Sequence, residues 1–473
     1  MTTVPHHNAP IEGSEIDTAA RCPLTLLIAS ALLWLVVGGV LALLNLVQLH
    51  TPGFLANCAW LTYGHLQAMQ ETALVYGWAA NAGLAFALWL LARLGGSALR
   101  GVNYITVGGL FWNAAVTLAL VGIALGDATS FSLLQMPRYV QPIMLFAYTA
   151  IAVPGVLAWT GRRTQQTYAA QWYAVAALFL FPWFFSVAQV MLVYLPVRGT
   201  LQAVAAVWYG QNVFSLWLAP LAIAAVYYLL PKISGKVLPA YDFAIYGFWS
   251  LLLFGAWIGG RHLIGGPVPA WISSMAIVSC GLVLFHHLIV FFNLREVFST
   301  GGSTVLKFLA VGLFAYLLGG LADAVFSARG LAQFTQFTYF QLAQSQLALG
   351  AFSMILFGAI YYMGPRLTGV TWPSVALIRA HFITALIGFF LLVGSLVAAG
   401  YVQGHDLNNA AVSFAQIAAH TKSWLLLTTA AQALLVVGNA VFALHFLWLL
   451  VCKPAANAGS IFRQPVTLEA SAS

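Results

Sequence analysis

The sequence predicts an all-α fold, a polytopic membrane bundle of about twelve transmembrane helices. Three observations carry this expectation. Of the 473 residues, 62% are hydrophobic and only 6% are charged, against roughly 25% charged in a soluble domain. Apolar runs long enough to cross about 30 Å of hydrocarbon recur along the whole chain. Lys and Arg also fall in alternate connections, as topology signals do.

Each run is read in order. The first half gives helices over 23–47, 66–93, 104–126, 140–161, 168–195 and 203–230. The second half gives 241–263, 268–294, 305–327, 339–363, 374–402 and 424–452. Pro and Gly interrupt several runs, which a bilayer helix tolerates when its neighbours satisfy the freed backbone groups. The connections are short, so one membrane domain is expected over 23–452, with polar tails at 1–22 and 453–473. Glu12, Glu15 and Asp17 in the first tail exclude a cleavable signal peptide.

With the N-terminus placed in the cytoplasm, 13 Lys and Arg fall inside and 5 outside. The outside set is Arg138, Arg198, Arg261, Arg329 and Lys422. Both termini are therefore expected in the cytoplasm, with the chain in a bacterial inner membrane. The net charge of +8 is scattered singly through loops and predicts no nucleic-acid partner. Cys22, Cys58, Cys280 and Cys452 lie far apart and suggest neither a disulfide framework nor a zinc site.

Ionisable groups inside a bilayer are costly, so each is a functional candidate by default. The candidates are Glu71, His262 beside Arg261, His286, His287, Asp323 and His381. The competing reading is that each bonds to a neighbouring helix and fixes packing. His286 and His287 are adjacent and point about 100° apart on a helix, so they do not face one metal ion.

Several blocks resemble subunit I of the haem–copper oxidases, closest to cbb-type cytochrome c oxidases and nitric oxide reductases. They include Thr62-Tyr63-Gly64-His65-Leu66, Trp208-Tyr209-Gly210-Gln211-Asn212 and Trp257-Ile258-Gly259-Gly260-Arg261-His262-Leu263. Phe357-Gly358-Ala359-Ile360-Tyr361-Tyr362 and Ala399-Gly400-Tyr401-Val402-Gln403-Gly404 continue the series, which runs from Leu61 to Gly404.

The resemblance implies a low-spin haem, a high-spin haem and a copper ion, and it departs from the family at the ligands. The haem-ligand positions fall on Gln70, Ala343 and Ser345, or on Gln344 and Gln346 after a one-residue slip. The copper-ligand positions fall on Gln211, Arg261 and His262, and the cross-linked tyrosine falls on Gly255. Along the helix-7 entry, Ala240 and Gly247 stand where the family has protonatable residues.

No haem and no metal is therefore expected. The chain reads as a cofactor-free structural or assembly partner of respiratory-complex subunits such as membrane-anchored cytochromes c. Two alternatives remain open at this point. An active cytochrome c oxidase or nitric oxide reductase would hold haem b and copper through other ligands, among them His65, His286, His287 and His381. A transporter would use the emptied cavity, with Asp323, Glu71 and Arg261 along a polar path.

Overall fold

The structure is a computed structural model that describes residues 12–299 and 302–452. Among them are twelve helices long and apolar enough to span a membrane. They are α1 (Gly13–His50), α2 (Tyr63–Gly95), α3 (Val102–Ala124), α4 (Val140–Thr160), α5 (Ala169–Tyr194) and α6 (Thr200–Ser234). The second half holds α7 (Tyr241–Leu263), α8 (Ala270–Leu294), α9 (Thr304–Phe326), α10 (Tyr339–Thr368), α11 (Val375–Leu407) and α12 (Phe414–Val451). There is no strand among the described residues. The all-α bundle predicted from the sequence is the observed fold.

Three helices form the inner ring. In their most apolar stretches α2 is 100% buried, α6 89% and α10 72%, whereas the other nine are at most half buried. Outer helices pair along their lengths, α3 with α4 and α11 with α12, while α9 packs on the inner α10 and α1 packs on α2 and α12. Lipid is as apolar as leucine, so close packing and internal hydrogen bonds, rather than water exclusion, must hold such a bundle together.

Two inner helices are locally underwound into π turns, at Ala73–Ala79 in α2 and Val213–Leu218 in α6. Each π turn begins just after a residue singled out from the sequence, Gln70 and Gln211. A π turn inserts one extra residue and shifts the register of every side chain beyond it.

The two largest departures from the expected boundaries are both helix starts. Helix α1 starts at Gly13, inside the segment read as a polar tail. Its first turns dock on the end of α2, where buried Asp17 accepts a 2.8 Å hydrogen bond from Trp89 Nε1 and lies 3.6 Å from Arg93. A tertiary partner makes a charged residue helical where hydropathy alone stops. Helix α12 starts at Phe414 rather than 424, because Ser413 and Gln416 cap it reciprocally. Residues 1–11 of the first tail and all of 453–473, with Lys453 and Arg463, lie outside the described residues. The four cysteines are free thiols, as expected.

Candidate functional site

Helices α6 to α10, with Ser132 and Leu133 from the connection before α4, line a cavity of about 460 Å³. Five helices supply its polar mouth and its apolar floor. Arg261, at the end of α7, is 6% exposed and reaches across the mouth. Its Nη2 donates to Asp323 Oδ1 of α9 at 2.9 Å, and its Nη1 donates to Gln211 Oε1 of α6 at 3.2 Å. Gln344 Nε2 of α10 donates to the same Asp323 oxygen at 3.4 Å. The backbone carbonyl of Arg261 accepts from Gln336, whose own side chain accepts from Gln341. One network thus joins four helices and the loop before α10.

The arginine charge is balanced within the protein. Asp323 sits beside the guanidinium, so the pair is neutral overall, and a buried charge is tolerated only when paired and hydrogen-bonded. Sequence reasoning named both residues but had no means of pairing them, since they lie on helices separated by α8.

A second polar cluster surrounds Glu71. Gln67 and Gln135 donate to its two carboxylate oxygens at 2.5 and 2.7 Å. Gln70 donates to Gln67 at 2.7 Å, and Asn45 of α1 donates to the same oxygen at 2.5 Å. Gln70 therefore bonds along its own helix, and Gln211 bonds to Arg261. The two glutamines do not meet. A smaller cavity of about 80 Å³ lies beside this cluster and shares Ser132, Leu133, Phe214 and Ser345 with the larger one. Glu71 is thus separate from Arg261 and Asp323, and the two cavities share a wall of these four residues.

The histidines divide sharply. His286 is fully buried with both ring nitrogens engaged. Nδ1 faces the Gly247 carbonyl at 2.9 Å, which can only accept, so Nε2 must accept from the Tyr316 hydroxyl at 2.8 Å. His287 bonds the Val283 carbonyl through Nδ1 at 3.0 Å and stacks on Tyr316 with ring centroids 4.8 Å apart. Although their side chains diverge around α8, the two rings therefore meet one tyrosine. Position 320 must be glycine for this packing, because a Cβ there would lie 2.2 Å from His287 Nε2.

His381 is buried far from the cavity wall, bonded to Tyr361 at 3.0 Å and stacked on Phe442. His65 bonds the Ala59 carbonyl in the loop before α2. His262 lines the cavity and makes no hydrogen bond among the described residues.

The remaining positions singled out by the resemblance are small or already satisfied. Ala343 packs with Leu46, Leu392 and Leu396. Ser345 bonds back to the Gln341 carbonyl at 3.1 Å, and Gly255 lies against α6, where its carbonyl accepts from Ser215. Gln346 borders the smaller cavity.

The chain matches the family described as "Cytochrome C and Quinol oxidase polypeptide I" over residues 23–434. It belongs to that family. Among its relatives, the "Cbb3-type cytochrome c oxidase subunit CcoN1" of Stutzerimonas stutzeri is 24% identical over 386 residues, covering 78% of this chain and 81% of that protein. The "Cytochrome c oxidase subunit 1" of Rhodobacter capsulatus is 22% identical over 394 residues, covering 78% of this chain and 73% of that one. In structure the chain is similar to a haem–copper terminal oxidase dimer solved by cryo-electron microscopy. The TM-score is 0.76 at 14% identity, over 91% of this chain and 85% of that one. The family read from the sequence blocks is thereby shown, and the fold agrees with it.

Family members bind haem and copper, so the donors here bear on whether such groups fit. Haem iron takes His, Met, Cys or Tyr axially. His286 has no free nitrogen and His381 and His65 do not line the cavity, which leaves His262 and His287 as the histidines on its wall. A copper ion beside His262 would meet the Arg261 guanidinium, a cation with no lone pair to give. Among the described residues no three His, Cys, Asp or Glu side chains gather to hold a metal ion. The three copper-ligand positions named by the resemblance thus hold one amide, one guanidinium and one imidazole, Gln211, Arg261 and His262.

Proposed function

We propose that this chain is a cofactor-free member of its family, serving as a structural or assembly partner in a respiratory complex of the bacterial inner membrane. Both termini lie in the cytoplasm in this reading, as the distribution of Lys and Arg indicates. Twelve spans agree with it, since an even number returns the chain to its starting side.

One observation carries the proposal. Gln211 and Arg261 stand where the resemblance puts copper ligands, and they are hydrogen-bonded to each other and to Asp323. These bonds hold a fixed positive charge, already neutralised, in a place where a metal needs electron donors. Gln70 is likewise engaged with Gln67 rather than left open toward a cofactor. The bundle keeps its packing while its polar centre is self-satisfied, which suits a scaffold and not a redox catalyst. Its natural partners would be other respiratory subunits, membrane-anchored cytochromes c among them, together with the surrounding lipid.

A pyridine haemochrome assay on the purified, folded chain tests this reading. The expected outcome is no haem b above background. Haem b at one or two equivalents per chain would overturn it.

A further inference from the structure

The cavity carries its charged and amide groups at one end and is mainly apolar at the other. Gln211 and Gln344 stand at the mouth, and eleven residues further along the same helices Ala222 and Ile355 line the floor. At 1.5 Å per residue the slot is about 16 Å deep. Leu251, Val283, Ala315 and Phe352 line the deeper part, where Cys280, His287 and Tyr316 are polar side chains. Its volume falls in the usual range for small-molecule sites, roughly 300–1,000 Å³.

The geometry points to a binding site for an uncharged single-chain amphiphile with a hydroxyl head. This inference rests on the cofactor-free reading, since a haem would fill the same space. Arg261 and Asp323 are the lone Arg, Lys, Asp or Glu among the described residues lining the cavity, and each neutralises the other. An anionic head would have to displace Asp323 or lie beside it, and a cationic head would meet the guanidinium. A neutral head meets neither obstacle. The groups left over at the mouth suit a hydroxyl, which donates and accepts. Gln341 Oε1 and Gln344 Oε1 are acceptors, and Gln211 Nε2 is a donor. None of the three has a partner among the described residues, and neither does the His262 ring.

Backbone strain supports the assignment independently. Three non-glycine residues adopt a left-handed φ among the described residues, and two of them, Leu133 (φ 60) and Phe337 (φ 60), line this cavity. Such strain concentrates at ligand sites. Leu133 is held in place by the Tyr76 hydroxyl, which donates to its carbonyl. Phe337 projects at the mouth, 81% exposed.

The test is photoaffinity labelling of the full chain in nanodiscs with a diazirine-bearing decanol, the labelled residues mapped by mass spectrometry. Labelling is expected on the α6, α9 and α10 walls of the slot. 1-Decanol should compete about tenfold better than decanoate, equivalent to ~1.4 kcal/mol. Asp323→Asn frees the arginine and should bring decanoate up to parity or beyond. Gly319→Leu should abolish slot labelling without touching the polar network, because a Cβ at 319 meets Leu347 at an ordinary 3.7 Å and further atoms must enter the cavity. Label confined to lipid-facing residues, equal competition by alcohol and carboxylate in the unmodified chain, or labelling unaffected by Gly319→Leu would each overturn the inference. A haemochrome assay on the same sample separates the two ideas. Haem in the protein defeats the cofactor-free reading, whereas absent slot labelling in haem-free protein defeats this inference alone.

Discussion

The helices around α6 have been filled on one side and left hollow on the other. On the side of α2 to α5, Tyr76, Trp112, Tyr148, Phe181 and Trp217 form one continuous aromatic mass. Phe181 stacks on Trp217 with centroids 3.9 Å apart and lies 4.5 Å from Tyr148. On the side of α7 to α10, Gly210, Gly319, Gly320, Ala222 and Ala315 leave the 460 Å³ cavity, bridged at its mouth by Arg261 and Asp323. The same helix serves both sides. Side-chain volume alone makes the difference, because helix spacing cannot collapse enough to close a gap of that size.

The comparison can be broken most severely on the filled side. Trp217 is fully buried, so Trp217→Ala should destabilise the bundle by about 3–5 kcal/mol, read from unfolding in mixed micelles. Trp217→Phe should cost far less, since the indole N–H has no hydrogen-bond partner among the described residues. On the hollow side, the largest effect is expected from Asp323→Asn. Removing one partner of a buried pair costs about 3–5 kcal/mol, and the 24% exposure of the Asp323 side chain places it at or below the low end. The double change Arg261→Met with Asp323→Leu should recover most of that loss in the same assay. Failure to recover would show that the network does more than neutralise itself.

Gly320→Ala tests the boundary between the two regimes. The new methyl would collide with the His287 ring, and overpacking of this kind costs about 1–3 kcal/mol. Adding His287→Ala should restore stability. An additive double mutant would mean that the ring moves aside freely.

The smallest effect lies outside the membrane, at the ion pair between Lys236 and Glu296, 2.8 Å apart. The lysine's hydrogen bond holds the Glu296 carboxyl below its ordinary value of 4.5. The group therefore stabilises the fold above its unfolded pKa, and that contribution fades as pH falls through the depressed folded one. Glu296→Gln should flatten the acid limb of a stability titration. Raised salt should do the same, because the pair is screened by solvent.

Much of this was legible in the chain itself. Twelve apolar runs, the family blocks and every member of the Arg261 network except Gln336 and Gln341 could be named from residue order. The Glu71 cluster was half visible. Its carboxylate stood out, but Asn45 comes from α1 and Gln135 from the connection between α3 and α4, and both looked like ordinary polar residues. His286 and His287 could be assigned a helix and an angle, and no sequence signal indicated that Tyr316 would bind one and stack on the other. The start of α1 was hidden for a related reason, since Asp17 is helical only because Trp89 and Arg93 lie across from it.

The sequence determined by itself that this is a membrane bundle of its family, because lipid solvent permits so few charges and a spanning helix needs a fixed length of apolar chain. Only the tertiary structure decided what the polar residues do. Whether Arg261 is a free charge or half of a neutral pair depends on which helices are neighbours, and whether glycine and alanine leave a void depends on what faces them across the gap.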